Sequence, residues 1–164
     1  MTLIKSKIFN YLFDEFPTYF EIEDVKYKIK SDYRTWIFVS QTNETNLPFE
    51  IKSQIIFDRI FENEQPNNIV EAYEKIAWFR RCGDFESMRQ SSNKLFCFLQ
   101  DSQAIYAGFK RIGYTLTRDT HWFEFCAMLV EIMCIDSYFS ALIASRKDTK
   151  SKNRLRRMDD GDWC

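Results

Sequence analysis

Apolar positions fall into short blocks with two different periods. Thr18 to Ile22 and Val25 to Ile29 alternate apolar and polar residues and are separated only by Glu23-Asp24, which predicts a two-stranded hairpin near 18–29. Glu-Asp is not a favoured pair for the tight turn such a hairpin needs. A lone hairpin is marginal in water, so one of its faces must pack on helices.

Downstream the period lengthens to that of helices. Ser31 or Asp32 caps a helix running to about Gln41 and presenting Tyr33, Trp36, Ile37 and Phe38, before a polar loop from Thr42 to Asn46. Pro48 opens a second helix with Phe49, Ile56, Phe57 and Ile60 on one face. Asn67 or Asn68 caps a third, with Ile69, Tyr73, Ile76 and Ala77 aligned and Gly83 placed for a left-handed C-terminal cap. The polar run near 84–94 reads as a mobile loop, and Leu95 to Leu99 as a short strand or an extension of the next helix.

Asp101 or Ser102 then caps a helix carrying Ile105, Phe109 and Ile112 and ended by Gly113. From Thr120 to Cys134 one wide face holds Trp122, Phe125, Cys126, Leu129, Val130 and Met133, with Phe123, Met128 and Ile132 opposite, the pattern of a central helix. Asp136 caps a last helix bearing Phe139, Leu142 and Ile143. Residues 146–164 form a charged tail in which Arg146 to Arg157 supplies seven Lys or Arg against one acid, followed by three aspartates.

The fold class is therefore mainly α: one compact helical domain over 1–145 with a small N-terminal β-hairpin. The length of 164 residues suits one domain, and four Gly with three Pro are too few turn residues for a many-stranded sandwich. A net charge of −1 gives no global attraction to nucleic acid or to an anionic membrane. The most apolar segment, Trp122 to Ile135, contains Glu124 and Glu131 and is shorter than the roughly 20 residues a membrane span requires. The run from Leu3 to Phe13 lacks the pattern of a signal peptide. Five cysteines, odd in number and without a C-x-x-C pair, suggest a reducing compartment.

Candidate chemistry is sparse. His121 is the single histidine, and together with Glu124 and Cys126 it cannot present a tetrahedral metal site from one helical turn; a histidine filling a polar gap at a helix start is the favoured reading. No glycine-rich phosphate loop or nucleophile elbow is present, so no catalytic residue, cofactor or metal is assigned and the chain is expected not to be an enzyme. Cys126 and Cys134 read as buried, inert thiols.

What remains is aromatic. Phe, Tyr and Trp make up 17% of the chain and gather beside basic residues in three blocks, Tyr33-Arg34-Thr35-Trp36, Trp78-Phe79-Arg80-Arg81-Cys82-Gly83 and Thr120-His121-Trp122-Phe123-Glu124-Phe125. Such rings are more often core than interface, with the arginines at the rim. Those left exposed are the candidates for protein binding: Tyr33, Arg34, Trp36, Trp78, Arg80, Arg81 and Trp122.

These blocks, in order with Asp14-Glu15-Phe16-Pro17, Gln100-Asp101-Ser102 and Ile105-Tyr106-Ala107-Gly108-Phe109, resemble the "gene product fifteen" family of tailed phages and prophages of Gram-positive bacteria, over roughly residues 12 to 152. In that family the gene lies between those of the major tail protein and the tape measure protein, the position of tail-assembly chaperones, and no catalytic residues are recognised. The resemblance implies a chaperone that binds the tape measure protein or other tail proteins in the host bacterial cytoplasm and is absent from the mature virion. Two other readings stand beside it, a structural tail component of the virion and a nucleic-acid-binding accessory using Arg146 to Arg157. Homo-oligomerisation is left open. Here the stretch after Cys82-Gly83 is short and mixed in charge, where family members often carry a Lys- and Ser-rich one, and the acidic end at 159–164 replaces an aromatic basic helix.

Overall fold

A computed structural model describes residues 9–83, 96–135 and 137–147. The elements run β1 (Tyr19–Ile22), β2 (Val25–Lys28), α1 (Tyr33–Asn43), α2 (Phe49–Ile60), α3 (Ile69–Arg80), α4 (Ser102–Arg111), α5 (Trp122–Cys134) and α6 (Tyr138–Lys147). The chain is mainly α with a small antiparallel hairpin, as the periodicity predicts. The expected loop at 84–94 and the tail from 148 lie outside the described residues. The chain divides into two compact units, Met1–Gln90 with Thr117–Cys126, and Ser91–Leu116 with Ala127–Cys164.

In the first unit the hairpin pairs Tyr19 with Lys28 and Ile22 with Val25. Its Glu23-Asp24 loop forms despite its sequence: both residues are left-handed, at φ 50° and 62°, as a two-residue turn matching strand twist requires. Glu23 is tied down by Asn68, whose amide donates to its carboxylate at 2.9 Å. Phe20 and Ile22 are buried while β2 is largely exposed, so only β1 faces the helices. The chain then pairs onward through an Ile29–Phe61 bridge, with Lys30 N–H donating to Ile60 O at 2.9 Å, and the turn after α2 thereby extends the sheet edge.

Asp32 caps α1, accepting from the Arg34 and Thr35 amides. The buried face of α1 is Thr35, Trp36, Val39 and Thr42, which corrects the expected one: Phe38 turns outward, under the Arg59 guanidinium at 5.3 Å from its ring. Likewise α3, capped by Asn68, buries Ala72, Ile76 and Phe79 and leaves Ile69 exposed. Both stripes fit a 3.6-residue period and differ by one residue; the buried ring of Phe79 shows which faces inward. On α2, Ile56, Phe57 and Ile60 are buried as expected, but Phe49, at the first turn, is 58% exposed.

Among its described residues the second unit buries mostly aliphatic side chains with two phenylalanines. Ala104, Ile105, Phe109, Leu129, Ile132, Phe139 and Ile143 are buried, whereas Val130 is exposed and Cys134, expected buried, is exposed as well. A Cβ at Gly108 would lie 2.9 Å from Ile132 Cδ1, so α4 and α5 meet closely. Ser137 caps α6: its hydroxyl accepts from Ser140 N–H at 3.1 Å and the Ser140 hydroxyl accepts from Ser137 N–H at 3.0 Å, a reciprocal cap. Asp136 itself lies outside the described residues. Residues 96–99 form neither strand nor helix.

Asp101 stands at the start of α4 but does not cap it with its side chain. The carboxylate accepts from Cys97 N–H at 2.8 Å and from both terminal nitrogens of Arg146 at 2.6 and 2.8 Å. This bidentate pair holds the Asp101 carboxyl below its ordinary range. Helix α6 continues to Lys147, so Arg146 lies within it and makes this ion pair from its last turn.

Candidate functional site

The three aromatic-basic blocks lie far apart in sequence, and the first unit brings them together. The loop before α1 and the loop before α5 are bridged at Asp32 and His121, with Tyr33 N–H donating to Thr120 O at 3.0 Å and Trp122 N–H to Ser31 O at 2.8 Å. That ladder aligns the first turns of two helices. The Tyr33 ring then stacks on Phe125 at 4.9 Å, and Phe125 on Trp122 at 5.6 Å. Behind them Trp36 stacks on Phe79 at 4.1 Å, and Phe79 meets Phe123 at 4.8 Å.

Both buried indoles also satisfy backbone carbonyls. Trp36 Nε1 donates to Lys30 O at 2.9 Å, and Trp122 Nε1 donates to Arg80 O at 3.1 Å, a carbonyl in the last turn of α3 that has no helical partner. The rest of that terminus closes on itself. Cys82 N–H donates to Phe79 O at 2.9 Å and Gly83 N–H to Trp78 O at 3.0 Å, with Cys82 at φ 53° and Gly83 at φ 80°. Gly83 ends the helix as expected, but the left-handed cap position itself falls on Cys82.

His121 is the residue that starts α5. Its Nδ1 accepts from Phe123 N–H at 3.1 Å, so Nε2 carries the proton and donates to Pro17 O at 3.0 Å. Burial pushes its pKa below the ordinary value. Both ring nitrogens are used in holding the fold. The reading of a histidine filling a polar gap at a helix start is met, with Phe16 stacked on the ring at 4.7 Å.

The Cys82 thiol neighbours both the Cys126 thiol and the Tyr11 phenol, whose hydroxyl donates to Phe123 O at 3.5 Å. Burial raises both the Cys126 thiol and the Tyr11 phenol, with Cys82 adding to each, which keeps them protonated and unreactive. Among the described residues no group of three or more His, Cys, Asp and Glu is placed to hold a metal, and no single helix is long and apolar enough to cross a membrane.

The seven candidate binding residues thus separate by depth. Trp36 and Trp122 are 0% and 3% exposed and serve the core. Tyr33, Trp78, Arg80 and Arg81 are half-buried at its rim. Burial, with neighbouring Arg81, lowers the Arg80 pKa. Only Arg34 is exposed, its Nε donating to the Tyr33 hydroxyl at 3.3 Å. What sequence reading passes over is apolar surface elsewhere: Leu12 and Phe13 on a turn pinned by Asn10 and Asp14, and Phe49, Ile69 and Val70 at helix starts. Position at a helix end was the available signal, because a first turn projects past its neighbours.

Residues 12–160 match the sequence pattern of the bacteriophage Gp15 protein family. The chain belongs to that family. No curated protein and no solved structure matches it. For this Gp15 family member the interlocked rings explain what the signature blocks do: they close the first unit, and they are spaced through the sequence because each comes from a different helix.

Proposed function

We propose that this phage protein is a non-enzymatic tail-assembly chaperone that binds the tape measure protein in the host cytoplasm and keeps it soluble until the tail tube polymerises. Membership of the Gp15 family over residues 12–160 is the observation that carries the reading. The geometry is in keeping with it: the conspicuous polar side chains, His121, Asp32 and Asp101, are spent on caps and an ion pair, while large apolar residues stand exposed. Exposed apolar surface rimmed by polar residues is what a protein partner uses.

The test is co-expression with the tape measure protein of the same phage, followed by capture on a tag carried by this chain. The tape measure should be recovered with it and should become soluble. A tape measure equally soluble and unbound with or without this chain would sink the proposal. A chaperone should also be missing from purified particles by mass spectrometry, and its presence there at stoichiometric levels would point to a structural tail component instead.

A further inference from the structure

We propose that the exposed edge between α2 and α3, formed by Phe49, Ile69, Val70 and Tyr73, docks an amphipathic helix of a partner protein whose apolar stripe is flanked by Lys or Arg. The inference rests on the reading above that this chain binds another protein, and it adds where the contact is made and what chemistry the bound segment carries.

Four side chains make one patch. Phe49 is 58% exposed, Ile69 48% and Val70 72%. Tyr73 follows Ile69 by four residues and Val70 by three, so the three lie side by side on α3. At the start of α2 the Phe49 ring sits 5.1 Å from that of Tyr73. The platform is fixed before any partner arrives: Tyr73 donates its hydroxyl to Ser53 Oγ at 3.0 Å and its ring rests 5.6 Å from buried Phe57. A preorganised aromatic edge loses little freedom on binding, and an apolar groove between helices is the usual seat of an amphipathic helix.

Charge selects the partner. Glu50 adjoins Phe49, Glu74 lies one turn beyond Val70, both are exposed, and neither forms an ion pair among the described residues. Residues 44 to 75 hold seven acids against three bases. Of those acids Glu62 is paired with Lys28, and of the bases Lys52 is turned to Asn43 O, Arg59 lies over Phe38 and Lys75 is half-buried. Such a rim repels nucleic acid, anionic lipid and acidic helices, and complements a cationic helix.

The probe is a synthetic amphipathic peptide of roughly 20 residues with a Leu stripe and Lys flanks, long enough to be helical when bound, compared with its Glu-flanked counterpart. Titrated into the full chain at low salt, the Lys peptide should bind about tenfold more tightly than the Glu peptide. Phe49→Ser with Val70→Ser should weaken the Lys peptide by about tenfold. Glu50→Lys with Glu74→Lys leaves the rings in place and should invert the preference. Equal binding of the two peptides by the natural chain, or unchanged binding by the serine variant, would overturn the surface.

Capture of the tape measure protein separates this inference from the functional reading. If the natural chain and the serine variant capture it equally, the surface is wrong and the chaperone reading stands. If neither captures it while the peptide results hold, the surface stands and the chaperone reading falls.

Discussion

The last turns of α3 and α4 close with the same pair of reversed backbone hydrogen bonds, and they differ in what surrounds them. In α4, Gly113 N–H donates to Lys110 O and Tyr114 N–H to Phe109 O, with Gly113 left-handed at φ 77° and the Tyr114 ring 5.9 Å from that of Phe109. Nothing approaches within 4 Å of where a Gly113 side chain would begin. That cap is complete within six residues. In α3 the equivalent left-handed residue is Cys82, the Arg80 carbonyl is bonded by Trp122, and Phe9 N–H donates to Gly83 O at 3.4 Å. One helix end is a local stop signal; the other is a junction where three parts of the first unit meet.

Removing the long-range partner should break that contrast most. Trp122→Ala takes away a buried ring and the donor to Arg80 O, and should cost about 3–5 kcal/mol in urea unfolding. Tyr114→Ala removes the corresponding ring contact at the α4 end and should cost less than about 1 kcal/mol. Similar losses for the two variants would mean that the α3 terminus is as self-sufficient as the α4 one.

The two glycines give a smaller and sharper test. Gly113→Ala meets open space, so only the left-handed backbone is penalised, by about 1 kcal/mol. A Cβ on Gly83 would strike Phe9 Cβ, adding overpacking to the same backbone cost and bringing the loss to about 2–4 kcal/mol. Phe9→Gly removes the atom struck. A double-mutant cycle should therefore show the Gly83→Ala penalty partly relieved, and additive losses would remove Phe9 from the account.

These ends also mark how far the sequence could be read. Glycine after a helical stripe announced both stops, and asparagine or aspartate before one announced the caps of α1 and α3, because those signals act within a few residues. The crossing of Phe9 at Gly83, the Ile29–Phe61 bridge and the Asp101–Arg146 pair depend on residues distant in sequence, which periodicity does not register. For the same reason the aromatic blocks were legible as important but not as adjacent. Of the seven binding candidates, Trp36 and Trp122 went to the core because indoles that reach a backbone carbonyl can be buried fully.

The hairpin turn offers a third left-handed site, intermediate between the other two in its surroundings. Asp24 is exposed at φ 62°, like Gly113 in its freedom and like Cys82 in carrying a side chain there. Asp24→Gly should raise stability by about 0.5–1 kcal/mol, the relief of backbone strain less the added freedom of the unfolded chain. Thermal unfolding measures it. A loss would show that the Asp24 side chain contributes something the backbone argument omits.

The two units should finally part in their response to pH. In the second, the Asp101 carboxyl is held low by Arg146, so its stabilisation is present above the unfolded value of about 3.9 and is lost as pH falls through the lower folded value. In the first, burial lowers the His121 pKa, and protonating Nδ1 would place a hydrogen against the Phe123 N–H that it now accepts. The unfolded chain then takes up the proton first. Stability conferred by neutral His121 is whole above about 6.5 and falls as pH drops from there toward the folded value. His121→Asn keeps a helix-capping acceptor without titrating, so it should lower stability at pH 7.5 through the lost bond to Pro17 yet flatten the slope between about pH 7 and pH 5. Parallel curves for the natural chain and the variant across that interval would show that His121 is as easily protonated folded as unfolded, and would break the link between its two hydrogen bonds and the start of α5.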